Sequence, residues 1–340
     1  MNNFAAVGLA GAAGLAVTAG LGFAMVPWLR KLKFGQTILD IGPKWHKSKQ
    51  GTPTMGGLMF IIGTVAAIAV TVITDKLTGG DIVASGSLVP SEMYTRLWSG
   101  LVMALSFGLI GFADDYIKIV RGRNLGLTIK QKTLAQLLLC VAYLMGLYMS
   151  MDGAPYMFVP FVGMVEIGFF HWIFGIVIIY ASVNAVNFTD GVDGLCSSVT
   201  VTAAVSLGVI AGLKGLFGFS MAAAALAGAC VGFLFWNKNP AKVFMGDTGS
   251  MFLGGMVVAL AYALGCPLIL LLAGVVYVVE GASDVLQIVY YRVTGGKRIF
   301  KMAPIHHHFE LCGWSEKKIV AVFSAVNALG GAAAVAIMYY

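Results

Sequence analysis

Long apolar runs alternate with short polar loops along the whole chain. A window of about 19 residues gives ten expected spans, at 4–29, 54–74, 97–113, 132–150, 169–186, 195–213, 217–236, 248–266, 268–291 and 318–340. Each is close to the roughly 20 residues a helix needs to cross a bilayer. The short alternating segments of a membrane barrel are not evident. The expected fold is therefore an all-α integral membrane protein, read as one polytopic domain over 1–340. Pro155, Pro160 and Glu166 interrupt the stretch 151–168, which fits a short extracytoplasmic hairpin or an interfacial segment. The first run has neither a basic start nor an evident cleavage site, and reads as a retained helix.

Composition agrees with this reading. The chain is 59% apolar and 11% charged, with a mean hydropathy of +0.88, whereas a soluble domain carries about a quarter of its residues charged. The charge is also one-sided. With ten crossings, 19 of the 22 lysines and arginines fall in one set of loops, and only Lys76, Arg96 and Lys214 fall in the other. Basic residues are retained on the cytoplasmic side, so both termini are expected to be extracytoplasmic. The five cysteines (Cys140, Cys196, Cys230, Cys266 and Cys312) show no CxxC spacing and read as small buried hydrophobes.

The candidate chemistry gathers on the basic side. Asp114 and Asp115 follow an apolar run in GFADDYIKI. Asn187, Asp190 and Asp193 lie in VNFTDGVDGL, Asp247 in FMGDTGS, and His306, His307 and His308 in PIHHHFE. Five aspartates at the mouths of three helices repel one another unless a cation neutralises them. Magnesium takes oxygen ligands and is commonly held by one or two carboxylates together with substrate phosphates. Nearby lysines and arginines suit those phosphates. An acidic residue near a helix N-terminus is stabilising in any case, so FMGDTGS alone is weak; the convergence of three acidic motifs is what points to a site. A natural run of three histidines in a basic loop suits a metal or a phosphate, and without zinc spacing phosphate or substrate contact is the preferred reading. Glu280, Asp284 and Gln287 share one face of the ninth span and line either a substrate cavity or an internal hydrogen-bond network. His171, Asp152 and Glu166, on the other side, read as structural.

Together with GTPTMGG at 51–57, these strings resemble the signature loops of the phospho-N-acetylmuramoyl-pentapeptide transferase (MraY) family, in order from about residue 43 to 310. The resemblance implies an enzyme of the cytoplasmic membrane with ten transmembrane helices. Such an enzyme transfers phospho-MurNAc-pentapeptide from UDP-MurNAc-pentapeptide to undecaprenyl phosphate, giving lipid I and UMP with Mg2+ as cofactor. It implies Asp247 as metal ligand and Asp114, Asp115 and Asp247 as catalytic residues. It assigns substrate contacts to Lys49, Thr54, Lys118, Asn187, Asp190, Asp193, Asn237, Phe244, Gln287 and His306 to His308. Phe244 beside Asp247 could stack on uracil, or anchor a helix end. Asp114 and Asp115 could supply a base or a nucleophile. A homodimer in the lipid bilayer is implied, with no nucleic-acid partner. The rivals are a related polyprenyl-phosphate GlcNAc-1-phosphate transferase, which shares the aspartates, a secondary transporter, and a cell-wall scaffold. Transport would place acids near the midplane, where only Glu280 qualifies.

Overall fold

The computed structural model describes residues 1–32, 49, 51–86, 89–121, 125–153 and 155–339; the loop residues Lys33, Lys44, Lys47 and Arg123 lie outside them. The chain runs α1 (Asn3–Lys31), α2 (Gly57–Leu77), α3 (Pro90–Arg121), α4 (Ile129–Ser150), β1 (Tyr156–Val159), β2 (Gly163–Glu166), α5 (Phe170–Phe188), α6 (Leu195–Leu213), α7 (Phe217–Asn237) and α8 (Gly246–Ala263). A 3-10 turn, Pro267–Ile269, leads into α9 (Leu270–Ala273), α10 (Val275–Val293), α11 (Ile305–Leu311) and α12 (Glu316–Tyr339).

Local signals set the helix entries. The Asn2 side chain accepts the Phe4 N–H and caps α1. Thr128 and Gln131 form a reciprocal capping box at the start of α4. Within the expected hairpin or interfacial segment, β1 and β2 pair as a small antiparallel hairpin with Tyr156 opposite Glu166 and Val159 opposite Gly163. It is a β element in a fold expected to be wholly helical.

Layering follows burial. In α1, α4 and α12 only 28% of the most apolar window is buried, against 67% in α6 and 72% in α7. The first three thus face lipid and the latter two form the interior. Helix α8 is the innermost, buried without a break from Thr248 to Ala263 and wrapped by α2, α3, α5, α6 and α7. Among the described residues, eight helices are long and apolar enough to cross a membrane, and a bent pair makes up to nine. Helix α8 is not among them, although it occupies the expected eighth span. A helix shielded from lipid can carry Asp247, Thr248 and Ser250 at little cost.

The expected span 268–291 is present as two helices with a sharp bend between them. Residues Pro267–Ala273 and Val275–Val293 meet at 89°. Asn327 of α12 makes the break tolerable, since its amide donates to Ala273 O (3.0 Å) and accepts the Val276 N–H (3.2 Å). A broken backbone inside a membrane protein must find such partners.

At the end of the molecule remote from Asp114, Asp115 and Asp247, the buried Arg96 donates to Ala263 O (3.0 Å) and to Glu92 (2.5 Å). The hairpin docks there through Phe158 N–H to Gly265 O (2.8 Å). Four cysteines are buried as expected, but Cys312 is exposed. His171 is buried with its ring 3.2 Å from Leu144 O.

Candidate active site

Helix α3 runs on past its apolar part, so that Asp114, Asp115 and Lys118 remain helical. Its approach to α8 is backbone-close: a Cβ on Gly111 would stand 2.1 Å from the Asp247 carbonyl oxygen. Gly246 has φ +71°, and a Cβ there would lie 2.4 Å from Asp115 Oδ2. Both conditions demand glycine. Asp115 then caps α8, accepting the N–H groups of Asp247 (3.2 Å) and Thr248 (2.9 Å) and the Thr248 hydroxyl (2.7 Å). The positive end of the helix favours that carboxylate.

Asp114, Asp115 and Asp247 each offer an oxygen to a group whose members all lie within 4.8 Å of one another. Lys118 Nζ stands 2.5 Å from Asp114, 4.0 Å from Asp115 and 3.1 Å from Asp247. Lys132, in the first turn of α4, reaches Asp247 at 2.9 Å. Asn187 donates to the other Asp247 oxygen (2.9 Å) and to Ser250 Oγ (2.7 Å). Converging hard oxygen donors fit Mg2+, and the Lys118 ammonium supplies positive charge where such an ion would.

Asp190 lies in the turn joining α5 to α6. Burial, then the charges of Asp247, Asp115 and Asp193, push its carboxyl well above the ordinary value of 3.8. Asp193 faces another way. It accepts Lys49 Nζ (2.8 Å) and the Ala241 N–H (2.9 Å). Lys49 in turn pairs with Glu316 at 2.7 Å, tying the stretch before α2 to the start of α12.

Several expected contact residues hold backbone. Buried Asn237 accepts the Gly194 N–H (3.1 Å) and donates to Val243 O (2.9 Å). Gln287 accepts the N–H groups of Ile299 (3.1 Å) and Phe300 (3.0 Å). Phe244 takes part through its main chain, with N–H to Pro53 O and O to Gly56 N–H, both 2.8 Å. That pairing brings Thr54 beside Gly246, as its hydroxyl would stand 2.7 Å from a Cβ there.

The three histidines have three different settings. His306 is fully buried against Glu280 (3.0 Å). His307 pairs with Glu310 (2.7 Å), and His308 Nδ1 accepts the Lys301 N–H (3.1 Å). The structure therefore joins Asp114, Asp115, Lys118, Asn187 and Asp247 in one cluster with Asp190 beside it. Asp193 with Lys49, and Gln287 with the histidine segment, form separate groups. In the sequence Lys132 stands only as a loop charge, and nothing there singles out Thr248, Ser250 or Glu316 as functional. The sole signal for Lys132 was its place in a first turn, one residue after Gln131 of the capping box.

Comparison with known proteins decides the family. The phospho-N-acetylmuramoyl-pentapeptide-transferase signature 1 matches residues 49–61, and glycosyl transferase family 4 matches 97–265. A phospho-N-acetylmuramoyl-pentapeptide-transferase of Listeria monocytogenes is 42% identical over 316 residues, 93% of each chain. The chain belongs to the phospho-N-acetylmuramoyl-pentapeptide-transferase family. The transferase of that name from Acetivibrio thermocellus is 44% identical over 91% of this chain and 88% of its own. That of Bacillus mycoides is 41% identical over 93% and 95%. The signature 1 match contains Lys49 and Thr54, and the family 4 match contains every aspartate of the cluster.

Proposed function

We propose that this transferase moves phospho-MurNAc-pentapeptide from UDP-MurNAc-pentapeptide to undecaprenyl phosphate, forming lipid I and releasing UMP. The observation that carries the reading is the meeting of Asp114, Asp115 and Asp247 within 4.8 Å, in a chain 42% identical to a named transferase over 93% of its length. A phosphate oxygen of the lipid attacks the sugar-bearing phosphorus of the nucleotide, and the bond to UMP breaks. Bound Mg2+, held by Asp247 with Asp114 and Asp115 near it, would draw charge from the diphosphate. Asp115 is committed to the α8 terminus by three hydrogen bonds and Asp114 to the Leu127 N–H (2.8 Å) and Lys118, so either carboxylate releases a partner to take the proton of the lipid phosphate. Lys118 and Lys132 offset the repulsion between two anionic substrates. Asn187 orients Asp247.

We assign Lys49, Thr54, Asp190, Asp193, Asn237, Phe244, Gln287 and His306 to His308 to the substrate cleft. Asp193, Asn237, Gln287 and the wholly buried His306 act there by shaping loops. Asn237 and Gln287 hold main chain, Asp193 holds the Ala241 N–H and Lys49, and His306 is closed off against Glu280. We further propose ten crossings in one domain of the bacterial cytoplasmic membrane, counting α8 and the bent pair as one each, and a homodimer. The acidic face would meet the cytoplasm with both termini outside, an orientation supported by the 19 of 22 basic residues in one loop set.

The test follows UMP release from purified protein and undecaprenyl phosphate, comparing UDP-MurNAc-pentapeptide with UDP-GlcNAc, with and without magnesium. Turnover of the muramoyl substrate alone, abolished without magnesium and in Asp247→Ala, is expected. Turnover of UDP-GlcNAc instead would reassign the substrate, and turnover of neither by folded protein would end the reading.

A further inference from the structure

Glu280 and His306 are each wholly buried, 3.0 Å apart through Glu280 Oε2 and His306 Nδ1. Their remaining atoms, Glu280 Oε1 and His306 Nε2, are buried with no hydrogen-bond partner among the described residues. Leaving polar atoms of an ionisable pair unsatisfied is costly, so the pair calls for a reason beyond adhesion. Holding α11 on α10 does not require it. Ser283 Oγ already accepts the Ile305 N–H (3.0 Å), and Gln287 fixes Ile299 and Phe300.

The other side of the imidazole explains more. A Cβ on Gly191 would stand 2.1 Å from His306 Nε2, so the ring fills the space a side chain would take at that position. Gly191 follows Asp190 directly and precedes Asp193 by two residues. The free face of the pair is thus pressed on the backbone of the turn that carries Asp190 to the carboxylate cluster.

We propose that Glu280 and His306 are positioning residues for the transfer reaction. The carboxylate holds the imidazole with its proton on Nδ1, and the ring braces the 189–194 turn so that Asp190 stays set beside Asp247. Behind metal-ligating histidines a carboxylate fixes ring tautomer and orientation, and its loss commonly lowers metal affinity or activity 10- to 100-fold; the same geometry here orients a ring that braces a backbone turn. The inference rests on the transferase reading, and its test includes a measurement that does not.

The variants are Glu280→Leu, Glu280→Gln and, as control, Ser283→Ala, each checked for a cooperative thermal transition in detergent. Expected are a kcat roughly 100-fold lower in Glu280→Leu with KM within about 3-fold of wild type, and recovery of at least about tenfold by Glu280→Gln, whose amide oxygen can still accept the Nδ1 proton. Ser283→Ala, which loosens the same junction, should stay within about 3-fold. Independently, the 15N signals of the His306 ring, assigned by their absence in His306→Gln, should show the Nδ1-protonated tautomer in wild type. Wild-type kcat in Glu280→Leu, an equal loss in Ser283→Ala, or an Nε2-protonated ring would overturn the proposal. If Glu280→Leu does not fold, Glu280→Gln and the wild-type ring signals decide. Absence of UMP release by wild type would sink the reaction reading alone, because the ring signals still test the pair.

Discussion

Lys132 Nζ lies 2.9 Å from Asp247 Oδ2 and so joins the first turn of α4 to the first turn of α8. Two helices 115 residues apart in sequence meet at one carboxylate, with Lys118 of α3 on the same oxygen at 3.1 Å. The charge of Asp247 is thereby balanced before any substrate arrives.

Removing that ammonium should cost turnover more than fold. Lys132→Gln is expected to lower kcat roughly 100-fold, the usual loss when one charge-stabilising donor is removed. UMP release at saturating substrate measures it. A change under about 3-fold would mean that the ion pair serves assembly alone.

Gly246→Ala should damage both stability and activity. The residue holds φ +71° with Asp115 Oδ2 2.4 Å from where a Cβ would lie. A left-handed conformation costs an L-residue about 1–2 kcal/mol, and the clash must also push Asp115 off the α8 terminus. A lower melting temperature with loss of magnesium-dependent UMP release is expected; unchanged turnover would refute the proposed geometry.

The pH dependence of stability should carry a mark of Asp190. Its carboxyl is raised well above 3.8 by burial and by neighbouring acids. The folded protein then holds that proton more tightly than the unfolded chain. Its stabilising contribution is full below 3.8 and is lost as pH rises through the raised value. In magnesium-free buffer, wild type should lose stability relative to Asp190→Asn as pH climbs from about 4, read as the difference between their melting temperatures. A constant difference across that range would rule the shift out.

At the opposite end, Glu92→Ala leaves the buried Arg96 without its carboxylate partner. Breaking a buried pair in this way costs about 3–5 kcal/mol. Faster thermal inactivation is expected, while protein assayed before inactivation should keep a near-normal kcat, the pair being far from Asp247. A large kcat defect in folded protein would show that this end is coupled to the chemistry.

Much of this was legible along the chain. Helix α6 spans Leu195–Leu213, the stretch the apolar window gives, because lipid and core both reward an unbroken apolar run. The carboxylate cluster was legible as three acidic strings on one side. The turn at Gly274 was not, since a window averages hydropathy without direction and the residue that satisfies the break, Asn327, stands 54 positions away from Ala273. Lys132 was hidden for a similar reason: its helical phase, unlike that of Lys130, aims it at Asp247, and phase follows from the capping box at Thr128. The backbone commitments of Asn237 and Gln287 were hidden too, because residue type reveals a hydrogen-bonding group and not its partner. Glu280 read equally well as cavity lining or as an internal contact, and the contact with His306 is the one present.

Helix α8 carries the reactive carboxylate at one end, has Arg96 on its last carbonyl groups at the other, and is enclosed by protein from Thr248 to Ala263. Bilayers of different thickness act on a membrane protein by tilting or stretching the helices that touch lipid. Here α1, α4 and α12 are the least buried of the spans, and the helix that bears Asp247 stands behind the outer helices. Asp247 is therefore set back from the acyl chains. Asp114 and Asp115, by contrast, ride on α3, whose Val102 and Leu109 are exposed, and Lys132 rides on α4, so a change of bilayer thickness reaches the cluster from its α3 and α4 sides.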